Sequence, residues 1–284
     1  MFSILALGGG GLKGYLELGA IEELERRYGP LHLKFKDGIY GCSVGSIVAT
    51  SIAFGVPVKI IKEKFMKISS LKDLFGVPDF NNITEMLLKK GVYDMKKLDD
   101  FLIQCFKEIG IDIVNKKLND ALIPLNITAT NLTKCIPTIF QGDVPVLTAI
   151  KASTCIPFVF HPQIINSSVY VDGGFITNVL LNLIPKDKRD KTLSISIIHT
   201  KSKIYPKNIS QLNPIDFAYK LYKTTCIYEQ SRNTYKNNIE LYFNEGSGVS
   251  TFSDHEKENM ILIGKTLTNE FFRTKCSSQE SIKC

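Results

Sequence analysis

Tryptophan is absent from this 284-residue chain, arginine occurs five times against 30 lysines, and histidine occurs four times. Scarce arginine argues against reading phosphates or bases through bidentate guanidinium contacts, so no nucleic-acid partner is expected. No apolar run reaches the ~18 residues of a membrane-spanning helix, which argues against an integral helical membrane protein. The seven cysteines, at 42, 105, 135, 155, 226, 276 and 284, form neither a C-x-x-C pair nor a zinc spacing, and the histidines do not cluster with them. An odd number of such cysteines fits free thiols in a reducing compartment better than a disulfide framework, and no metal or other cofactor is expected. The opening MFSILALGGGG lacks the basic stretch and long apolar core of a secretory signal, so cytoplasmic residence is the expectation. The triplets at Asn82, Asn126 and Asn131 are accordingly not expected to carry sugar. Internal repeats, low-complexity tracts and clear linkers are also missing. One domain over residues 1–275 is expected, with 276–284 as a frayed tail.

What is present reads as globular. The chain is 44% hydrophobic, 10% aromatic and 22% charged, a balance unlike that of a disordered, collagenous or coiled-coil protein. The net charge of +7 is compatible with peripheral attraction to anionic membranes, although such an excess more often only solvates a surface. Residues 2–7 form an apolar strand that stops at four glycines, Gly8 to Gly11. A helical pattern follows, with Leu16, Ala20, Leu24 and Tyr28 at a spacing of four, ended by Gly29-Pro30. Residues 38–42 read as a second strand, and 44–54 as a helix without a polar face, hence buried. Strands alternating with helices predict a mainly parallel sheet in an α/β fold. Residues 58–72 predict a lysine-rich amphipathic helix lying over the core, with a helix at a membrane surface as the alternative. Residues 73–124 predict a helical insertion, interrupted at Pro78, Gly91 and Gly110. Beyond it, strands are expected at 125–132, 136–140 and 193–198, and a hairpin around Asn166-Ser167-Ser168. Helices are expected at 146–153, 215–237 and 254–274.

Two turns carry chemistry. Gly41-Cys42-Ser43-Val44-Gly45 fits G-x-S-x-G, the strained strand-to-helix turn that lifts a serine hydroxyl clear of the backbone. Five letters alone are a weak signal. The preceding apolar strand and the buried helix that follows strengthen it over a plain tight turn. A cysteine inside the elbow points away from its tip, so Ser43 rather than Cys42 is the candidate nucleophile. The second turn is Gly8-Gly9-Gly10-Gly11-Leu12-Lys13-Gly14, whose backbone amides at a helix start can face an anion. Gly9, Gly11 and Gly14 satisfy G-x-G-x-x-G, but a dinucleotide site needs an acidic residue ending the second strand, and here Gly41-Cys42-Ser43 stands there. A P-loop needs Gly-Lys-Ser/Thr, whereas Gly14 precedes Tyr15. An oxyanion hole for acyl transfer remains, and it alone explains a glycine loop paired with a serine turn on the next strand.

A serine nucleophile needs a base. Of His32, His161, His199 and His255, His199 follows a predicted strand and best suits a Ser–His–Asp arrangement. The rival is Asp172, directly before Gly173 and Gly174, although Asp-Gly-Gly is more often only a turn.

Together these residues resemble the patatin-like phospholipase family. The stretch from Leu5 to Gly14 is similar to its glycine-rich motif, GCSVG to its nucleophile elbow, and Asp172-Gly173-Gly174 to its Asp-Gly-Gly/Ala motif. Thr128-Ala129-Thr130-Asn131-Leu132 resembles a buried family strand, and Ala152-Ser153-x-x-Ile156-Pro157 its A-S-x-x-I-P segment. These five blocks cover roughly residues 2–200 in family order, as in bacterial-type or viral members; the last third matches nothing specific. The resemblance implies a three-layer α/β/α sandwich and a Ser43–Asp172 dyad that dispenses with histidine. It also implies oxyanion donors at Gly9, Gly10 and Gly11, and no metal. Lys13, Gly14, Gly41, Gly45, Gly173 and Gly174 fall on supporting motif positions; Lys13 would either anchor the loop or meet a lipid phosphate. The chain departs from some members at Gly8, where Asp occurs, and at Cys42, where Thr is frequent. The activity implied is hydrolysis of fatty-acyl esters, phospholipase A or lysophospholipase in type, on a membrane lipid or lysophospholipid. A neutral-lipid lipase, a transacylase, a silent lipid-binding protein and a Ser–His–Asp esterase are the alternatives.

Overall fold

A computed structural model of the chain describes residues 2–70, 73, 83–198, 212, 214–231, 235–244 and 251–280. The first strand, β1 (Ile4–Leu7), leads through the glycine loop into α1 (Gly14–Tyr28) and a short α2 (Leu31–Lys34). Next come β2 (Gly38–Cys42), α3 (Val44–Ala53) and α4 (Val58–Phe65). In β1, alternate side chains enter opposite faces. Leu5 and Leu7 join the larger of two buried clusters, with α1 and α3, while Ile4 and Ala6 join a smaller one. The uninterrupted burial of β1 and β2 is what a parallel sheet covered on both faces requires.

The segment expected as a helical insertion is wired into that core. It holds α5 (Ile83–Lys89) and α6 (Lys96–Lys107), and Leu98, Leu102 and Phe106 of α6 are buried in the larger cluster. Between the two helices lies an unforeseen strand, β3 (Gly91–Tyr93), which pairs in parallel with β6 (Phe158–Phe160). A three-residue strand is too short to show a period in the sequence.

The main sheet runs β10–β9–β1–β2–β4–β8–β7, with β5 on a further edge of β4. Its members are β4 (Leu125–Asn131), β5 (Ile136–Phe140), β7 (Gln163–Ile165), β8 (Ser168–Asp172), β9 (Thr192–Ile198) and β10 (Asn238–Tyr242). From β10 to β4 all neighbours are parallel, while β5, β8 and β7 add antiparallel pairings. Strand β10 is not among the expected strands; it begins one residue past the helical pattern expected over 215–237. The helix there, α8 (Pro214–Ser231), stops sooner. Helix α7 (Val146–Thr154) covers β4 and β8, and α9 (Asp254–Glu280) crosses α1. Helix α9 runs past 274, where the sequence reading ends it. Lys275 bonds the Asn237 side chain at 2.6 Å and stacks over Phe2 and Phe271, so the chain is still held there. On the opposite face, Val179, Leu180, Leu181 and Ile184 cover Ile4, Ala6, Tyr40 and Cys42. Among the described residues no helix is long and apolar enough to cross a membrane.

Candidate active site

Strands β1 and β2 lie in parallel register with Leu7 opposite Gly41, so the glycine loop and the GCSVG turn leave the sheet side by side. This is the carboxyl end of a parallel sheet, where open α/β folds place their sites. Ser43 sits there with φ 53° and ψ −128°, a left-handed backbone that costs a non-glycine residue roughly 1–3 kcal/mol. The surroundings hold it in place. Its N–H donates to Ser153 Oγ at 2.9 Å, and Ser153 Oγ donates in turn to the Thr128 carbonyl at 2.6 Å. The Ser43 carbonyl accepts from the Ser46 amide at 2.9 Å and from Ser46 Oγ at 2.6 Å. A methyl added at Gly45 would stand 2.4 Å from the Leu7 carbonyl oxygen, and one at Gly41 2.6 Å from that of Gly45. Both positions must therefore be glycine for β1, β2 and α3 to meet.

Sheet register brings Asp172 to the serine. Strand β5 occupies one edge of β4 along Ile127 to Asn131, so β2 and β8 share the other edge in succession. Cys42 pairs with Thr128, and Asp172 pairs with the next residue, Ala129. Where β2 ends, β8 arrives from the opposite direction, and Ser43 Oγ donates to Asp172 Oδ2 at 2.6 Å. The second oxygen, Oδ1, accepts from the Gly174 amide at 2.8 Å and from the Tyr222 hydroxyl at 3.0 Å. Asp172 is fully buried. Burial, opposed by those three donors, raises its pKa from 3.8 to about 6. Gly173 lies against Thr128, whose carbonyl a methyl there would approach to 2.7 Å.

The glycine loop is clamped by Asn178. Its Oδ1 accepts from the Gly9 amide at 2.7 Å, and its Nδ2 donates to the Gly9 carbonyl at 3.1 Å. This corrects one expectation: the Gly9 N–H is already spent and does not face a substrate oxygen. Gly9 is needed for room instead, since a Cβ there would lie 2.9 Å from Ser43 Cβ. Among the described residues, no acceptor is bonded to the amides of Gly10 and Gly11, and Gly11 lines the same cleft as Ser43. Gly14 stands against Val44, and Lys13 is buried, donating to the Phe243 carbonyl at 2.7 Å. Burial first, then the nearby Lys223, lowers the Lys13 pKa to about 8. The buried ammonium anchors the loop and is not presented to a headgroup.

No histidine among the described residues joins this arrangement. Among the described residues no hydrogen bond joins His32, His161 or His255 to Ser43, and His199 lies outside the described residues. Cys42 is buried, and burial together with the charge of Asp172 pushes its thiol well above the ordinary range, which leaves it protonated. Among the described residues no three His, Cys, Asp or Glu side chains are grouped to hold a metal. Beside Ser43 opens an apolar cleft of about 80 Å³, lined by Leu12, Val44, Ile47, Phe65, Phe101 and Phe160 among others. The arrangement sets a serine hydroxyl, hydrogen-bonded to a buried carboxylate, at the edge of an apolar cleft, a combination suited to nucleophilic attack on a carbonyl with an apolar substituent.

A family model described as patatin-like phospholipase matches residues 5–183, which span the loop, the elbow and Asp172. The chain belongs to the patatin-like phospholipase family. An uncharacterised protein of Acanthamoeba polyphaga mimivirus is 30% identical over 197 residues, covering 68% of this chain and 64% of its own. The probable lipid hydrolase 463L of Invertebrate iridescent virus 6 is 25% identical over 223 residues, 74% of each chain. The cUMP-AMP-activated phospholipase of Escherichia coli is 27% identical over 197 residues, which are 62% of this chain and 55% of that protein. This chain thus spans less than two thirds of the mimivirus and E. coli proteins. The solved structure of VipD from Legionella pneumophila matches with a TM-score of 0.58 at 15% identity, over 96% of this chain and 67% of that one. A chain of the ExoU–SpcU complex from Pseudomonas aeruginosa matches with a TM-score of 0.51 at 14% identity, over 96% and 52%. At such identities the likeness establishes the patatin-like α/β fold.

Two residues of this patatin-like site escaped the sequence reading. Asn178 lies within the matched stretch but in no motif recognised there, and a lone asparagine after a turn carries no signal of its own. Tyr222 lies beyond the matched stretch, in a helix where the buried apolar residues Tyr219 and Cys226 read equally well as core.

Proposed function

We propose that this patatin-like chain is a serine-dependent carboxylic-ester hydrolase of the phospholipase A or lysophospholipase type, acting on fatty-acyl esters presented at a membrane surface. The observation that carries the reading is the 2.6 Å hydrogen bond from Ser43 Oγ to buried Asp172 at the edge of an apolar cleft. Ser43 Oγ bonds to the ester carbonyl carbon as its proton passes to Asp172 Oδ2. The resulting oxyanion is met by the amides of Gly10 and Gly11. Collapse of the tetrahedral intermediate breaks the ester C–O bond, and the departing alcohol takes the proton back from Asp172. Water then attacks the acyl-serine with Asp172 again accepting the proton, and the fatty acid leaves with Ser43 restored. A carboxylate with a pKa near 3.9 is a poor base at neutral pH; one raised to about 6 is ionised there yet closer to the proton it must accept. Each charge that develops has a named partner, so the proposed cycle calls on no metal.

The test is a fluorescent-phospholipid hydrolysis assay in EDTA, comparing the protein with Ser43→Ala, Asp172→Asn and His199→Ala. Fatty-acid release that Ser43→Ala and Asp172→Asn abolish and His199→Ala leaves intact supports the dyad. Collapse of activity in His199→Ala overturns it in favour of a Ser–His–Asp esterase. Inactivity of the unsubstituted protein on phospholipid, lysophospholipid and neutral-lipid vesicles alike favours a silent lipid-binding protein.

A further inference from the structure

The cleft beside Ser43 has a neighbour. Ile47, Phe65 and Phe101 line it and also line a second, smaller apolar cavity of about 30 Å³ between α3, α4 and α6, walled further by Ser51, Leu102 and Cys105. Positions 43, 47 and 51 recur every four residues at and along α3, so one face of a single helix leads from the nucleophile to the second cavity. At 1.5 Å per residue that path is about 12 Å long.

The polar groups around this second cavity are already occupied. Ser51 Oγ donates to the Ile47 carbonyl at 3.0 Å, and Lys64 is ion-paired with Glu108. Burial raises the Cys105 pKa, which keeps the thiol neutral. Among the described residues, none of the buried polar atoms left without a partner lines the cavity. A polar ligand would forfeit its hydration there without compensation, whereas an alkyl chain loses nothing.

We propose that this cavity is the distal acyl-chain site, which reads the length of the fatty chain. The ester carbonyl sits at Ser43, the chain passes between Ile47, Phe65 and Phe101, and its terminal methylenes lie against Ser51 and Cys105. A short acyl group ends in the first cleft, so only a long one gains the second. The inference rests on the ester-hydrolase reading above and adds to it the place where chain length is discriminated.

The experiment compares kcat/KM for p-nitrophenyl butyrate and p-nitrophenyl palmitate in the protein and in Ser51→Phe and Cys105→Phe, which fill the cavity from two different helices. Circular dichroism and thermal melts report folding. Cys105, partly exposed on α6, carries the test if Ser51→Phe does not fold. The palmitate-to-butyrate ratio is expected to fall at least about tenfold in the filled variants. An unchanged ratio in a folded variant overturns the proposal. Binding of cis-parinaric acid, followed by its fluorescence in the same proteins, separates the two levels of inference. If the protein cleaves neither ester but binds this fatty acid, and Cys105→Phe weakens that binding, the hydrolase reading fails and the chain site stands. If both esters are cleaved and parinarate binding is indifferent to both substitutions, the chain site fails and the hydrolase reading stands.

Discussion

Asp172 and Glu17 are both sealed from solvent at 0% exposure, and they share little else. Asp172 receives hydrogen bonds from Ser43, Gly174 and Tyr222, whereas both oxygens of Glu17, in α1, have no partner among the described residues. Burial raises the pKa of each, Asp172 to about 6 and Glu17 well above its usual value of 4.5. Burial alone therefore says only that ionisation is costly. The donors decide whether a sealed carboxyl can still serve as a base at neutral pH or must stay protonated.

The largest expected effect is at Asp172. Asp172→Asn keeps the shape and removes the base, so kcat should fall by roughly a thousandfold or more in the phospholipid assay. Substantial retained activity would mean that the buried carboxylate is not the base. Tyr222→Phe comes next, because it takes one donor from Asp172 and nothing from Ser43. Wild-type kcat/KM should be present above about pH 6 and lost as the pH falls through that value, since Asp172 must be ionised. In Tyr222→Phe the acid limb moves to higher pH, which lowers activity at pH 6 roughly tenfold while activity at pH 8 changes far less. An acid limb that stays put would show that Tyr222 only packs.

The smallest effect is one of stability, at Glu17. Its folded pKa lies above the unfolded value, so the stability that comes from keeping it neutral is fully present below about pH 4.5. It is lost as the pH rises through the folded pKa. Glu17→Met, close in volume and free of polar atoms, should unfold at higher urea than the unsubstituted protein, by about 1–3 kcal/mol at pH 8 and by less at pH 4. A difference independent of pH would mean that the folded pKa of Glu17 is not raised above its unfolded value.

Much of the site was legible because its motifs are local devices. A glycine loop after an apolar strand and a G-x-S-x-G turn before a buried helix each declare a backbone geometry within a few residues, and both stand where expected. The Asp-Gly-Gly turn was legible only as a candidate, since nothing within it says that a serine 129 positions away is its partner. Gly9 shows the opposite failure. Its place in the motif suggested an oxyanion donor, but whether an amide is free depends on what else reaches it, and Asn178 does, 169 positions away. The lysine in the loop was undecided between anchor and headgroup contact until burial against Phe243 settled it. Strand β3 has only three residues and β10 follows a helical pattern, and each pairs with distant chain, so their stability lies in the partner strand and leaves little local signal.

By itself the sequence determined the α/β alternation, the two turns at the sheet's carboxyl edge and the residue types from which an acyl-transfer site could be built. These are consequences of φ/ψ preference, hydrophobic period and side-chain size, which act over a few residues. Only the tertiary structure decided that β8 continues the edge that β2 vacates, setting Asp172 one residue beyond Cys42 on β4 and within 2.6 Å of Ser43. The structure likewise decided that Asp172 is buried with three donors and Glu17 with none. Strand register, solvent exclusion and long-range hydrogen bonds belong to pairs of segments, and no single segment encodes them.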